Sequence, residues 1–407
     1  MEPLSLARSV LAIPELLDHT IDFLSGSLED LHSCALVSKS WVSRTQFHIF
    51  RKIFLLPTYY DDNIKLLCLL TKTLEASPHL AQCIRHLSVS LHIELLENIA
   101  KMIHTLPRLE ELYVQCTYEQ YSSRADLETK FLVQSLLRLP TIRGVELEGP
   151  FNSMSVIHTY FDNCTQNIQS LGLWHVHVDS AGPEETSGAD PPISGLGASK
   201  IQLARIVFPL ESSQILDAWI SGPHYPFGFH HLQRIHIAAK RWRLFQSFLA
   251  PCTVSIEYLK LLHFSDHSSL DLNGFTKLTW LDIEVDEDWH PSDLLAVLER
   301  LPPNNCLETI RLFKYSVSAE DETTFRDFDA TITALDVMHS LRRLEIDIAV
   351  LRPELDITTF RSYFPTLASK DYLFTHLSPK YISGSDTDSG ETIESDPEVW
   401  MGDEDWW

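Results

Sequence analysis

The chain has 407 residues, which corresponds to two or three globular domains or to one long repeat array. Hydrophobic residues make up 44% of it and charged residues 22%, so neither wholesale disorder nor a fibrous protein fits. The 56 acidic residues outnumber the 32 lysines and arginines and give a formal net charge of −24. Such an acidic balance disfavours binding to nucleic acid and to anionic membranes, because both depend on basic side chains.

The seven cysteines are scattered and form no Cys-x-x-Cys pair, which predicts reduced thiols rather than a disulfide framework or a zinc ribbon. The first eight residues lack the basic start of a signal peptide. No apolar run approaches the roughly 18 residues that a membrane span needs. We therefore expect a soluble protein of the cytoplasm or the nucleus.

Three short helices are predicted in the first fifty residues. Pro14 begins the first helix and Gly26 closes it, Ser27 caps the second helix, and Ser38 opens the third helix, which carries Trp41. Helices this short cannot bury all of their large apolar side chains against one another. We therefore expect either an apolar face for a partner or packing on the following domain.

The residues of this segment also follow a known order and spacing. They are Leu11, Ile13-Pro14-Glu15-Leu16-Leu17, Ile21, Leu24, Asp30-Leu31, Cys34, Leu36-Val37-Ser38-Lys39-Ser40-Trp41 and Phe47-His48-Ile49-Phe50. Through them, residues 9–54 resemble an F-box, although Ile13 and Phe50 stand where Leu and Trp are common.

Members of the F-box family dock the small adaptor subunit of a cullin-RING ubiquitin ligase, and through it the cullin. The resemblance implies that eight residues line this interface: Pro14, Leu16, Leu17, Ile21, Leu31, Leu36, Val37 and Trp41. The alternative is that the three helices only cap the domain that follows.

A short pattern of apolar residues returns ten times within residues 55–379. The ten hexads are 84–89, 109–114, 142–147, 168–173, 203–208, 232–237, 256–261, 278–283, 307–312 and 341–346, and they recur every 22 to 35 residues. This is the period of a leucine-rich repeat, in which each unit supplies a strand and a helix. The array resembles the divergent leucine-rich-like domains behind fungal F-boxes, and the turn from Ser77 to Leu87 strengthens the match. The predicted fold is therefore α/β: a three-helix F-box, an irregular leucine-rich-repeat-like solenoid and a disordered acidic tail.

Strand alternation predicts which hexad residues are available to a target protein. The first, fourth and sixth residues should turn inward, while the fifth and its neighbours should lie on the concave sheet face. Aromatic and arginine residues there are the types that anchor interfaces, although inter-repeat packing is the alternative for each aromatic. The predicted target-binding residues are Tyr113, Trp174, Trp280, Asp282, Glu284, Arg311 and Phe313. Residues 282–329 hold thirteen acids and four bases, so we expect a target with a basic patch.

Two further segments stand out by composition. Residues 180–199 hold four of the fourteen glycines and predict a mobile insertion that either grips a partner or is a spacer. Residues 380–407 hold nine acids and one base and are predicted to be disordered. Their three tryptophans indicate either a docking motif or packing back on the array.

The sequence carries no catalytic motif. Gly-x-Gly-x-x-Gly, a Walker-type loop and Gly-x-Ser-x-Gly do not occur, so we expect no catalytic residue and no cofactor. His175 and His177 form the best metal-like pair, but no third ligand stands at metal spacing. The expected function is that of a substrate receptor of an SCF-type ubiquitin ligase, and the alternative is a protein-interaction scaffold without a ubiquitin role.

Overall fold

The computed structural model describes most of the chain from residue 13 onward. The described residues are 13–56, 60–91, 96–116, 131–151, 160–161, 164, 166–178, 201–208, 226–239, 242–250, 252–264, 270–285, 290–317, 321–335, 340–351 and 356–377. The predicted insertion at 180–199 and the predicted tail at 380–407 lie outside these residues. The chain is α/β with a large, mostly parallel sheet, and it divides into two compact units. The first unit consists mainly of Met1–Ile168, with Val176–Glu184 and Glu404–Trp407, and the second consists of Gln169–His175 and Glu185–Asp403. The predicted domain boundaries at 54 and 379 stay predictions.

The first unit begins with three helices. They are α1 (Pro14–Asp22), α2 (Leu28–Val37) and α3 (Lys39–Arg51). The predicted starts are confirmed, because Pro14 is the first helical residue and the hydroxyls of Ser27 and Ser38 accept the backbone N–H groups of Asp30 and Ser40. We call residues 14–51 the N-terminal module.

The rest of the first unit alternates strands and helices. Its strands are β1 (Lys52–Leu55), β2 (His86–Leu91), β3 (Glu111–Cys116) and β4 (Gly144–Phe151), and neighbours in this order pair in parallel. Its helices are α4 (Tyr60–Ala76), α5 (Leu96–Ile103) and α6 (residues 131–137), with a 3-10 turn at Pro78–Gln82. Sequential parallel neighbours need a crossover between each pair, and the helices lie in those crossovers.

The second unit continues the same alternation. The strands of its main sheet are β5 (Ser170–Val178), β7 (Arg205–Phe208), β9 (Arg234–Ala238), β10 (Tyr258–Phe264), β11 (Trp280–Val285), β12 (Thr309–Val317), β13 (Arg343–Leu351) and β14 (Leu373–Leu377), in that order. The short strands β6 (Ile201–Gln202) and β8 (Phe227–Gly228) form a separate parallel pair. The helices are α7 (Trp242–Leu249), α8 (Pro291–Leu298), α9 (Glu322–Ile332), α10 (Ile357–Arg361) and α11 (Pro365–Ser369), with a 3-10 turn at Thr253–Ser255.

The ten predicted hexads form the core of both units. The first, fourth and sixth residues of every hexad are buried, each at most 3% exposed, which confirms the inward positions. Within each unit the paired strands align third residue with third residue, as in Tyr258 opposite Trp280 and Thr309 opposite Arg343. A period of two residues in each strand and a constant register therefore stack the apolar side chains strand upon strand.

A shared backbone carbonyl keeps successive hexads in register. The carbonyl of Arg85 accepts the N–H groups of Glu110 and Glu111 at 2.8 and 2.9 Å. The carbonyl of Glu257 likewise accepts the N–H groups of Thr279 and Trp280, and among the described residues eight junctions in all, these two included, have this arrangement at the second hexad residue. A carbonyl has two lone pairs, so one oxygen fixes the entry of the next strand.

The end of the second unit is held by a buried carboxylate. Asp329 on α9 is 2% exposed, and its two oxygens accept the backbone N–H groups of Thr366 and Leu367 at 2.9 Å each. These groups belong to the first turn of α11, whose N–H groups have no partner within the helix. Asp329 therefore caps a helix that lies 37 residues further along the chain.

Candidate functional site

The N-terminal module has its own small core. Leu17, Ile21 and Leu31 are buried, and Leu24, Trp41 and Ile49 pack against them. Because these six side chains come from all three helices and the turn after α1, they hold the helices to one another.

An ion-pair cluster joins the first helix to the third. Arg44 donates to both carboxylate oxygens of Asp22, at 2.5 and 2.7 Å, and Nε2 of His48 lies 2.7 Å from the same carboxylate. The guanidinium of Arg44 also lies 4.8 Å from the ring centre of Phe47. The Arg44 hydrogen bonds hold the pKa of Asp22 below its ordinary value. A bidentate pair of this kind fixes geometry as well as charge.

The module and the residue before it expose a set of large apolar side chains. They are Ile13, Leu16, Phe23, Leu28, Leu36 and Val37. Leu36 is 88% exposed and Val37 is 64% exposed, although both end a helix whose other face is in the core. An apolar group this open to water is the kind of feature that marks an interaction surface.

The predicted adaptor-binding set divides between this surface and the core. Pro14, Leu16, Leu36 and Val37 are exposed, as the prediction requires. The other four are Leu17, Ile21, Leu31 and Trp41.

Leu17, Ile21 and Leu31 are at most 4% exposed and lie in the core, so they are not accessible in this structure, and their part in docking stays a prediction. Trp41 is half-buried and packs on the same core. The reason is that α1 and α2 carry apolar residues on two faces, and helical spacing alone does not say which face turns inward. Ile13, Phe23 and Leu28 are also exposed, but the sequence prediction did not include them. For Phe23 the sequence offered a signal, because this residue does not share the helical spacing of Leu17 and Ile21.

The module runs directly into the first strand. Helix α3 ends at Arg51 and β1 begins at Lys52, and the carbonyl of Arg51 accepts the N–H of Arg85 at 2.9 Å. Oε1 of Gln46 lies 3.3 Å from Nε2 of His79 in the 3-10 turn. Arg85 is the second residue of the first hexad. The carbonyl of Arg51 therefore accepts the hydrogen bond that the second residue of a preceding hexad accepts at the later junctions.

The second candidate surface is the strand face opposite the hexad core. It carries the third, fifth and seventh residues counted from the start of each hexad, and we call it the strand face. All seven predicted target-binding residues belong to it: Tyr113, Trp174, Trp280, Asp282, Glu284, Arg311 and Phe313. Tyr113 lies in the first unit, and the other six lie in the second unit.

The strand face is less open than predicted. Tyr113 is 4% exposed and Asp282 is 1% exposed, so their predicted exposure is wrong. Trp174, Trp280, Glu284, Arg311 and Phe313 are half-buried. Parallel strands stand only about 4.8 Å apart, so side chains at matched register cover one another laterally.

Charges of opposite sign alternate across the strand face of β10 to β13. Register places Lys260 beside Asp282, Asp282 beside Arg311, and Arg311 beside Glu345. Arg311 lies 2.6 Å from Asp347 and 3.8 Å from Glu345, and Lys260 lies 3.7 Å from Asp282. These charges largely neutralise one another, so they contribute less to attraction of a basic target than their number suggests. The basic patch of the target stays a prediction.

Aromatic rings flank this ladder of charges. Trp174 meets His236 edge to face at 5.9 Å, and Tyr258 lies 6.1 Å from Trp280 while its hydroxyl donates to Asp282 at 3.0 Å. Tyr258 was missed by the sequence prediction, although its third-residue position in the hexad was the signal.

A carboxyl group with a raised pKa lies on the strand face of the first unit. Glu148 on β4 follows Glu146 on the same face, and burial raises the pKa of Glu148 to about 7. Register places it beside Gln115 of β3. The next residue, Gly149, has φ of +116°, and an added Cβ would lie 2.2 Å from the carbonyl oxygen of Cys116, so only glycine fits there.

The part of the chain that the structure describes contains no group of three or more His, Cys, Asp or Glu side chains placed to hold a metal ion. His175 and His177 lie on β5, but their side chains are outside the described portion. Among the described helices, none is long and apolar enough to cross a bilayer. No protein-family model matches this sequence, and no curated protein is significantly similar to it. Function is therefore inferred from the residues and their geometry.

Proposed function

We propose that this chain is the substrate-receptor subunit of an SCF-type cullin-RING ubiquitin ligase. The observation that carries the proposal is the apolar surface of the N-terminal module. Its core is complete without Leu16, Leu36 and Val37, which nevertheless stand exposed at positions where an F-box contacts the adaptor. A partner that buries them gains roughly 1.5–3 kcal/mol for each fully covered Leu or Val side chain.

The arrangement of the rest of the chain supports the same role. The strands of the first unit follow the module without a linker, because β1 begins at the residue after α3. A target that contacts the strand face of the first unit would therefore lie on the same compact unit as the docked adaptor. Such a receptor contributes effective concentration and orientation, and no residue of this chain is assigned a chemical step.

The half-buried aromatic and charged side chains of the second unit are the proposed target contacts. Trp174, Trp280, Glu284, Arg311 and Phe313 combine rings with hydrogen-bonding groups, as hot spots of protein interfaces do. Asp282 is buried and is not proposed to contact the target. Its carboxylate orients the side chains of Tyr258 and Lys260. The proposed setting is the cytoplasm or the nucleus.

Co-precipitation of the full chain with the purified adaptor tests the docking surface. The double change Leu36→Asp and Val37→Asp should abolish capture, because it places two charges in an apolar contact. The matched control is Leu69→Asp on α4, since Leu69 is 63% exposed and lies outside the module. Capture that survives the double change, or is lost equally in the control, contradicts the assignment.

A scaffold without a ubiquitin role is the second candidate. The observation that favours it is the bond between the Arg51 carbonyl and the Arg85 N–H, through which the module covers the start of the strand ladder. Deletion of residues 1–51 separates the two proposals. A cap, once removed, should leave a chain that aggregates, whereas a docking module should leave a monomeric chain that no longer binds the adaptor.

A further inference from the structure

The edge of the first unit where its strands begin carries a group of arginines. Arg51, Arg85 and Arg143 each directly precede a strand, namely β1, β2 and β4, and Arg108 lies in the turn before β3. Parallel strands all begin at the same edge of a sheet, so these residues share that edge. Arginine is always protonated in proteins, and four permanent positive charges are thus grouped in a chain whose net charge is −24.

Hydrogen bonds hold these residues next to one another. The N–H of Arg85 donates to the carbonyl of Arg51 at 2.9 Å, the N–H of Glu110 donates to Arg85 at 2.8 Å, and the N–H of Arg143 donates to Glu110 at 2.7 Å. Neighbouring strands stand about 4.8 Å apart, so the backbones of Arg51 and Arg143 are roughly 14 Å apart. A guanidinium nitrogen of Arg85 also donates to the carbonyl oxygen of Arg108 at 3.4 Å, which places Arg108 beside this row.

The positive charges outnumber the carboxylate that faces them. Oε1 of Glu110 lies 3.5 Å from Nε of Arg85 and accounts for one of the four charges. The guanidinium groups of Arg51, Arg108 and Arg143 make no hydrogen bond and no ion pair with any residue that the structure describes. Arg108 and Arg143 are exposed and Arg51 is half-buried, so an anion in solution can reach them.

The like charges act on one another. Burial lowers the pKa of the Arg85 guanidinium below its ordinary value, Glu110 raises it, and Arg108 and Arg51 lower it again. Charges one strand apart lie within the Debye length of about 8 Å at physiological salt, so salt screens their repulsion only in part. Because this repulsion disfavours the folded unit, an anion that binds between the arginines stabilises it.

We propose that these four arginines, which we call the arginine edge, bind an extended acidic segment of a partner protein. The planar fork of a guanidinium donates two parallel hydrogen bonds to one carboxylate, and such charge-assisted pairs are the strong ones. In an extended segment, alternate side chains lie on the same side about 6.8 Å apart. Two or three acids at alternate positions therefore span the roughly 14 Å between the backbones of Arg51 and Arg143.

The overall charge of the chain favours a peptide over a nucleic acid as the occupant. A nucleic-acid strand carries a phosphate about every 3.4 Å and extends beyond the arginine edge, where the chain of net charge −24 repels it. A short acidic segment places its charges only where the arginines are. The arginine edge is also distinct from the apolar surface of the N-terminal module, so this inference does not depend on the adaptor or on a ubiquitin role.

Fluorescence anisotropy of a labelled oligoglutamate peptide mixed with the full chain tests the proposal. We expect binding at about 0.1 M salt, where the Debye length is about 10 Å. One exposed ion pair changes a dissociation constant about 1.4- to 5-fold, so Arg108→Gln combined with Arg143→Gln should raise it about 2- to 30-fold. The matched control is Arg361→Gln combined with Lys370→Gln, which removes two exposed cations of the second unit and should leave affinity unchanged.

Three outcomes would overturn the proposal. The first is that the wild-type chain does not bind the peptide. The second is equal weakening in the control, which would show a general charge effect. The third is tighter binding of a single-stranded DNA of the same net charge that the Arg108 and Arg143 changes also weaken, which would assign the arginine edge to nucleic acid.

Protection of arginines from chemical modification locates the binding site in the wild-type chain. Hydroxyphenylglyoxal reacts with accessible guanidinium groups, and peptide mass spectrometry measures the modified fraction at each arginine. The oligoglutamate peptide should slow the modification of Arg108 and Arg143, whereas the exposed Arg361 should react at the same rate with and without it. Protection of Arg361 to the same extent, or no protection of Arg108 and Arg143, contradicts the proposal.

Discussion

Substitution of Ile21 and of Leu36 separates the fold of the N-terminal module from its proposed docking function. Both residues are large and aliphatic and lie in adjacent helices, but Ile21 is fully buried and Leu36 is 88% exposed. Ile21→Ala leaves a cavity in a core of six side chains, and such changes destabilise proteins by about 2–5 kcal/mol. Leu36→Ala removes only surface, so the free energy of unfolding should change by less than about 0.5 kcal/mol.

The effect of Leu36→Ala on adaptor binding follows from its exposure. Full burial of a leucine side chain contributes about 1.5–3 kcal/mol, and alanine keeps one carbon of it, so the loss should be about 1–2.5 kcal/mol. This corresponds to a dissociation constant raised roughly five- to seventyfold.

Two assays are needed, because a chain of two compact units is not expected to unfold as a single two-state system. Amide hydrogen exchange over residues 14–51 reports the stability of the module, and calorimetric titration reports adaptor affinity. We expect faster exchange in Ile21→Ala only and weaker binding by a folded Leu36→Ala. The reasoning is refuted if Leu36→Ala accelerates exchange as much as Ile21→Ala, or if it remains folded and binds the adaptor as tightly as the wild type.

Three further predictions concern charged groups. Asp329→Ala leaves two buried N–H groups without their acceptor and should lower stability by about 2–4 kcal/mol, measured as accelerated exchange in the 357–377 region; unchanged exchange would contradict the capping role. Asp22→Asn should destabilise the module by about 1 kcal/mol above pH 4, and the difference should vanish as the pH falls through the lowered pKa of Asp22, because a carboxyl with a depressed pKa stabilises only while ionised. Glu148→Gln should stabilise the first unit at pH 8 but not at pH 4, since the raised pKa of about 7 disfavours the folded state only where the unfolded carboxyl, with its ordinary pKa of 4.5, is ionised; a pH-independent difference in melting temperature would refute this.

The strand ladder could be predicted from the sequence because its signal is local and repeated. A hexad with apolar first, fourth and sixth residues forces those side chains to one face of a strand, and ten copies leave a single consistent register. The shared carbonyl at positions such as Arg85 and Glu257 could not be predicted, because any residue type supplies the same backbone oxygen.

The exposed and the buried apolar residues of the N-terminal module could not be told apart from the sequence. Leu17 and Leu16 are adjacent and chemically identical, yet one is in the core and the other is exposed. Only the packing of α3 against α1, fixed by Arg44 and Asp22, decides between them. On the strand face the sequence predicted the side of the sheet correctly but not the burial of Asp282, because lateral cover depends on the neighbouring strands.

Titration of the full chain with purified adaptor is the measurement that tests the proposed receptor function most directly. A one-to-one complex should form with the wild type, be lost when Leu36 and Val37 are both changed to aspartate, and persist in the Leu69→Asp control. Absence of a complex with the wild type, or a complex indifferent to the Leu36 and Val37 changes, would contradict the account.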